Sequence, residues 1–383
     1  MTKKISLMIV IHGLQGGGAE RVLVNLLRGL NRTDFSITLV LYEGICSYPM
    51  PDNIQLKVLG IPAGRNLFSL GAGFLRKILA LTGLIRKQRP DIVFSFLSST
   101  NAAAILAALI AGTGAKVLVS EHTFPSVNLA NERFGNITAR IITRLYPRAD
   151  RIIAVSQGIK NDLIKNFGAR EDTINVIHNP FDLDDIRRLG SERVDHPWFV
   201  PSGSEDKPLI VSAGRLTKQK GYPFLLRAFA RVRTTVPCRL VILGEGPDRA
   251  SLERLASDLG IEADVSLPGF QDNPYAYMAR AAVFTLSSLY EGFGNVLVEA
   301  MALGTPVVST ACPSGPDEII REGISGLLVP TGDEEALAAA ILRVLSDEEL
   351  RAVLSNGGRE RAESFAINKI AAEYNRMFRE VLS

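Results

Sequence analysis

Glu291 and Glu299 stand eight positions apart in SLYEGFGNVLVEAMALGTP (residues 288–306), with Gly292, Gly294 and Asn295 between them. Paired carboxylates can cleave a glycosidic bond when they flank it at roughly 5–9.5 Å. Eight residues of unbroken helix would separate them by about 12 Å of rise, and the glycines interrupt the helix. Two acceptors for different hydroxyls of one extended ligand fit this spacing better, with phosphates between them. Upstream, AVFTLSS reads as a strand, so Glu291 falls in the loop at its carboxyl end. VLVEAMAL then reads as a helix capped by Asn295 and stopped by Gly304 and Pro306. The amides of Asn295, Val296 and Leu297 would offer the positive end of that helix to an anion. In isolation the same two residues could also be ordinary capping or solvated glutamates.

A second stretch, SAGRLTKQKGYPFLL (212–226), sets Arg215 and Lys220 just beyond another strand. A forked guanidinium and an ammonium on one short loop can neutralise a diphosphate; a plain solvated basic loop is the alternative. GLQGGGAERV (13–22) places Gly16, Gly17 and Gly18 between the first strand and the first helix, where close backbone approach and helix amides suit an anion or an acceptor group. The glycine offsets do not match the dinucleotide fingerprint, and no acidic residue follows at the ribose-binding distance. Weaker turn signals follow at VILGEGPDRASL (241–252) and at LPGFQDN (267–273), where Phe270 lies beside backbone groups that could meet a nucleobase.

These loops must be carried by strands. ISLMIVIH, SITLVLY, IQLKVLGI, DIVFSFL, AKVLVSEH, RIIAVS and INVIHN alternate with amphipathic segments in the first half. PLIVSAGR, CRLVILGEG, DVSLPGF, AVFTLSS, TPVVST and SGLLVP do so in the second. Near-continuous apolar strands between helices predict parallel sheets covered on both faces. The expected fold is α/β, two Rossmann-like βα domains facing across a cleft, with ligands beyond the carboxyl ends of the strands. Boundaries fall at 1–181 and 209–365, with 182–208 as a polar linker and 366–383 as a helix returning to the first domain. Within the linker Asp182 and Asp184 form a D-x-D pair, read as helix capping and not as a metal site.

At 383 residues the chain exceeds one hydrophobic core. Its three cysteines, Cys46, Cys238 and Cys312, are too scattered for a disulfide framework or a zinc cluster. The apolar run near the N-terminus leads into glycines, not a cleavage site, and reads as a strand. No stretch of eighteen apolar residues exists to span a bilayer. Residues 1–170 hold 21 Lys and Arg against 9 Asp and Glu, a net +12, whereas the remainder holds 22 against 31, a net −9. The first half is therefore built to meet something anionic, or at least tolerates it. Two amphipathic stretches concentrate that charge: 65–90 with Arg65, Arg76, Lys77, Arg86, Lys87 and Arg89, and 132–148 with Arg133, Arg140, Arg144 and Arg148. Each is either a solvated helix face or a contact with anionic lipid, where every basic residue contributes about 1 kcal/mol.

Taken together, EGFGNVLVEAMALGTPVV, GRLTKQKG, LGEGPDR, GGGAERV and CPSGPDEIIREGISGLLVPTGDEEALAAAI resemble the motifs of retaining glycosyltransferases of family 4, over nearly the whole chain. The resemblance implies the two-domain B-type fold and a nucleotide-sugar donor, UDP-linked by preference, with no metal or other cofactor. It implies that Arg215 and Lys220 bind the diphosphate and Glu299 the ribose. Glu291 and the amides of Phe293, Gly294 and Asn295 would touch the transferred sugar and its phosphate, with Gly17, Phe270, Gly292 and Val296 completing the donor site. His122, in VSEHTFP, would lie beside the donor sugar, so that Glu291, His122, Arg215 and Lys220 carry the chemistry. Ala311 departs from the family pattern, where an acidic residue is expected.

The motifs are most similar to those of bacterial polysaccharide and glycan-assembly members. The implied partners are a nucleotide sugar, a glycan acceptor carried on a polyprenyl diphosphate and an anionic membrane surface, with no nucleic acid. The expected location is cytoplasmic, peripheral on the inner face of the plasma membrane. The competing readings are a sugar-nucleotide epimerase of the same architecture, which needs no acceptor, an NAD-dependent dehydrogenase, disfavoured by the glycine spacing, and a non-catalytic binding module.

Overall fold

The computed structural model describes residues 4–46, 48, 50–61, 67–130, 135–199 and 207–383. Arg65, Arg133 and linker residues 200–206 lie outside them. The chain divides into two compact units, Met1–Pro180 with Ile367–Ser383, and Phe181–Ala366.

In the first unit the strands are β1 (Ile5–Ile11), β2 (Phe35–Leu41), β3 (Ile54–Val58), β4 (Ile92–Phe96), β5 (Lys116–Glu121), β6 (Arg151–Ala154) and β7 (Ile174–Val176). Helices α1 (Gly18–Gly29), α2 (Leu67–Gln88), α3 (Ser98–Ala111), α4 (Pro125–Ala130), α5 (Gly135–Leu145) and α6 (Gln157–Phe167) connect them. Every pairing is parallel, in the order β3-β2-β1-β4-β5-β6-β7. The order reverses between β1 and β4, which makes their carboxyl ends the crevice where such sheets accept ligands. All five residues of β4 are buried, as a strand covered on both faces requires.

The second unit begins with α7 (Leu183–Gly190) and holds β8 (Leu209–Ala213), β9 (Arg239–Leu243), β10 (Val265–Gly269), β11 (Val283–Leu286), β12 (Val307–Thr310) and β13 (Leu327–Val329). Its other helices are α8 (Tyr222–Thr235), α9 (Arg249–Asp258), α10 (Pro274–Met278), α11 (Asn295–Ala302), α12 (Pro316–Ile319), α13 (Glu334–Ser346) and α14 (Glu348–Ala362). This sheet is also wholly parallel, ordered β10-β9-β8-β11-β12-β13, and reverses between β8 and β11.

The last helix, α15 (Ile367–Glu380), belongs to the first unit. Its buried face, Ile370, Ala371, Tyr374, Met377 and Phe378, joins the β1–β4 core. Close approach to α1 depends on Gly29, where a Cβ would lie 2.8 Å from that of Ala371.

Residues 182–208 differ from the expected linker. Leu183 and Ile186 are buried on one side of α7, and Leu189 and Gly190 accept hydrogen bonds from Asn273 and Arg280. Further on, His196 bonds Ser266 and the Trp198 ring receives the Arg239 guanidinium. The described part of the segment is thus part of the second unit, because a short amphipathic helix can bury its apolar side without any strand to announce it. Asp182 caps α7 through the Asp185 amide, the capping role read from the D-x-D pair.

Candidate functional site

In the second unit the loops after β8 and β11, the two strands at the reversal, are laced together. The Leu289 amide donates to the Gln219 carbonyl at 2.8 Å, Gln219 Nε2 to the Tyr290 carbonyl at 3.0 Å, and the Ser287 hydroxyl to the Lys220 carbonyl at 2.8 Å. Gly221 makes this possible: its φ is +61°, and a Cβ there would meet the Ser287 carbonyl oxygen at 2.1 Å. Only glycine combines that backbone with that proximity.

Across this lacing Lys220 Nζ lies 2.6 Å from Glu291 Oε1, with side chains 15% and 8% exposed. The Ser288 hydroxyl donates to the same oxygen at 2.6 Å. Arg215, on the same loop as Lys220, is exposed and makes no side-chain hydrogen bond or ion pair among the described residues. The structure thus joins two of the predicted residues directly and leaves the guanidinium open to a ligand.

Helix α11 starts beside this pair. Gly294, at φ +99°, is its N-cap and Asn295 its first residue, one position from the expected cap. The left-handed turn at Gly294 explains the shift, since it breaks the chain direction where asparagine was assigned that task. Phe293 is buried and meets Phe365 edge-on at 5.5 Å. The Ser314 hydroxyl holds the Gly292 carbonyl at 3.0 Å. Glu299 is buried inside α11, where the Tyr275 hydroxyl of α10 donates to Oε1 at 3.4 Å. The two glutamates are therefore seated by separate elements. Phe270, just past β10, is 65% exposed, and Ala311, just past β12, is exposed as well.

The glycine loop of the first unit differs from its sequence reading. The Gly16 and Gly17 amides donate to Glu20 Oε2 at 2.7 and 3.1 Å. Glu20 reaches back from the first turn of α1, so the helix's own carboxylate takes the amides that had been assigned to an anion. Gly18 opens α1. An incoming anion at this loop must displace Glu20.

His122 follows the last residue of β5. Its ring stacks on Phe96 at 5.2 Å and 18°, and Nε2 lies 2.9 Å from Ser120 Oγ. Nδ1 is buried and has no hydrogen-bond partner among the described residues. Burial pushes the imidazole down to about 3, so the ring is neutral at physiological pH.

Two titratable clusters escaped the sequence reading. His12, just past β1, has Nε2 3.3 Å from Glu43 Oε2 and Nδ1 3.4 Å from Lys77 Nζ. Burial first, then Lys77, lowers its pKa, and Gln15 of the glycine loop donates to the same Glu43 oxygen at 3.1 Å. The second cluster surrounds Glu121. A histidine directly after a strand was the one available signal for the first; the second has none, because its members come from four elements. Among the described residues no three His, Cys, Asp or Glu side chains gather as a metal site would require.

Solved structures share this architecture. A sucrose-phosphate synthase from Thermosynechococcus elongatus superposes with a TM-score of 0.81 at 20% identity, over 99% of both chains. Anabaena HepE in complex with UDP gives 0.77 at 21% identity, covering 98% of this chain and 100% of its own. The fold is thus that of the two-domain, B-type glycosyltransferases.

In sequence, the profile described as Glycosyltransferase Family 4 matches residues 16–185, and that of Glycosyl transferases group 1 matches residues 197–361. A Campylobacter jejuni protein, N-acetylgalactosamine-N,N'-diacetylbacillosaminyl-diphospho-undecaprenol 4-alpha-N-acetylgalactosaminyltransferase, is 34% identical over 368 residues, 95% of this chain and 97% of its own. The chain belongs to glycosyltransferase family 4. It is a transferase, and the epimerase, dehydrogenase and binding-module readings fall away.

Proposed function

We propose that the protein transfers a hexose or N-acetylhexosamine from a UDP-sugar, with retention and without metal, to a glycan carried on a polyprenyl diphosphate. One observation carries the reading: the Lys220–Glu291 pair beside the amino end of α11, at the reversal of the second sheet. Departure of a nucleoside diphosphate requires preorganised positive charge on the leaving phosphates. Lys220, the exposed Arg215 and the α11 terminus supply it. Glu291 Oε1 is engaged by Lys220 and Ser288, which leaves Oε2 to accept from a sugar hydroxyl. Glu299 takes the ribose, Phe270 lies against the base, and neutral His122 offers its Nδ1 to the donor sugar.

UDP is favoured because the structural relative HepE holds it. The acceptor class is favoured by the name of the Campylobacter jejuni relative, which places its sugar on a diphospho-undecaprenol-linked glycan. The first unit would meet the anionic membrane that carries such an acceptor, from the cytoplasmic side; no helix among the described residues is long and apolar enough to cross a membrane.

The test is transfer from a panel of UDP-hexoses and UDP-N-acetylhexosamines to a synthetic polyprenyl-diphosphate-linked N-acetylgalactosamine, with and without EDTA. An α-linked product from an α-linked donor, formed equally with chelator, is expected. An inverted product, or a strict need for a divalent ion, overturns the corresponding part.

A further inference from the structure

Strand β5 ends in a carboxylate that no cation among the described residues pairs. Glu121 is fully buried, and among the described residues only neutral groups bind it. Tyr146 Oη and Asn101 Nδ2 donate to Oε1, the latter at 3.0 Å, and Ser98 Oγ to Oε2 at 3.1 Å. Asn101 also donates to the Ser120 carbonyl at 3.0 Å and accepts from the Ser95 hydroxyl at 2.8 Å. The network is closed, and it ties β4, the first turns of α3, the end of β5 and the turn after α5 to one point. Leu97, between β4 and α3, is held at φ +73°, and its amide donates to the same Ser120 carbonyl at 3.1 Å. Strain at such a residue persists only where its surroundings over-determine it, commonly at functional sites.

Burying a carboxylate without a counter-ion is costly, and burial raises its pKa to about 7 despite the three donors. An apolar residue would hold the fold without that cost. The next residue is His122, whose ring lies flat on Phe96 with a buried Nδ1 that has no partner among the described residues.

We propose that Glu121 is a positioning residue for sugar transfer: its bonds to Tyr146, Asn101 and Ser98 fix the end of β5 and so hold His122 on Phe96, with Nδ1 presented to the donor. The proposal rests on the reading of His122 as a donor-sugar contact, and its two experimental arms separate that reading from the positioning itself. Glu121→Gln preserves the network. The glutamine oxygen still accepts from Tyr146 and Asn101, and its amide donates to a Ser98 hydroxyl turned round to accept. Glu121→Ala and Tyr146→Phe break it.

The first arm needs no substrate. The full chain has four histidines, so ring NMR signals are assignable with His122→Asn. Between about pH 8 and about pH 5 the His122 ring does not titrate in the native protein or in Glu121→Gln, whereas it gains water and titrates in Glu121→Ala and Tyr146→Phe. The second arm measures UDP release from the UDP-sugar panel: Glu121→Ala loses about a hundredfold in kcat with donor KM nearly unchanged, and Glu121→Gln retains turnover. A ring that stays untitrated in both disrupting variants overturns the proposal. If Glu121→Ala does not fold, Tyr146→Phe, which removes one hydroxyl, decides alone. A ring that moves while kcat stays constant upholds the anchoring and overturns the link to transfer; a native protein inert toward every UDP-sugar overturns the donor reading.

Discussion

Lys220 and Glu291, 71 residues apart in sequence, share a 2.6 Å ion pair that is mostly shielded from water. The loop proposed to grip the leaving diphosphate and the carboxylate proposed to read the sugar are therefore one mechanical unit. Glu291 holds the Lys220 ammonium in place, so under the proposed function little reorganisation is needed for it to meet the donor phosphates.

That coupling separates stability from turnover. Lys220→Met leaves a buried carboxylate unpaired, and a loss of about 3 kcal/mol in urea unfolding is expected, the low end for a buried pair. UDP release should fall about 10²–10³-fold, as for loss of a transition-state donor. Lys220→Met combined with Glu291→Leu should recover most of the stability and none of the turnover. A double variant that regains turnover would remove both residues from the chemistry.

Gly221 gives a test of the loop lacing. Gly221 and Gly168 have nearly the same φ, +61° and +65°, but a Cβ at Gly168 meets nothing within 4 Å. Gly168→Ala should cost about 1–2 kcal/mol for the left-handed backbone alone. Gly221→Ala adds a 2.1 Å collision with the Ser287 carbonyl, so its urea midpoint should fall further. Only Gly221→Ala should also depress turnover.

The contrast between these positions shows what the sequence could disclose. All thirteen strands among the described residues were legible: most are buried on both faces and must be near-continuous apolar runs, while the edge strand β3, with no buried residue, alternates apolar and polar residues as IQLKV. Glu291 at a strand's carboxyl end, and the basic loop holding Arg215 and Lys220, were legible for the same reason. The pairing of Lys220 with Glu291 was not, since periodicity says nothing about which loops meet across a sheet. Nor was the capture of the Gly16 and Gly17 amides by Glu20; the same G-x-x-E spacing serves an empty anion site and a self-capped one. Helix α7 was hidden in a polar segment, its buried side being just Leu183, Ile186 and Gly190.

Glu121 predicts a pH dependence of stability with an unusual sign. Its folded pKa is raised to about 7 from an ordinary 4.5 by burial. Between those values the folded state binds more protons than the unfolded state, so stability falls as pH rises. The contribution is fully present below about 4.5 and lost above about 7, on the order of 3 kcal/mol in all. Glu121→Gln should abolish this term, so its stability relative to the native protein should improve from pH 5 to pH 8. Parallel urea curves for the two proteins over that range would refute the buried, cation-free carboxylate.

The membrane attachment proposed above maps onto one layer of the first unit. Helix α2 packs on α3, and α3 on α5. Leu75 and Leu79 of α2, Leu109 and Ile110 of α3 and Ile137 of α5 are exposed. Arg76, Arg86, Lys87 and Arg140 lie exposed on the same helices, with Arg144 farther along α5 and Arg148 in the turn that follows. Exposed leucines among arginines are wasteful in water but suit an interface where apolar side chains enter the headgroup boundary and cations meet anionic lipid. The protein is expected to float with vesicles containing phosphatidylglycerol at low salt and to be released as salt shortens the screening length. Leu75→Ser with Leu79→Ser should weaken flotation at every salt concentration, while Arg140→Gln with Arg144→Gln should weaken it chiefly at low salt. Flotation unchanged in both pairs would show that this helical layer is not the attachment surface, and donor hydrolysis, which needs no lipid, should be unaltered in all four substitutions.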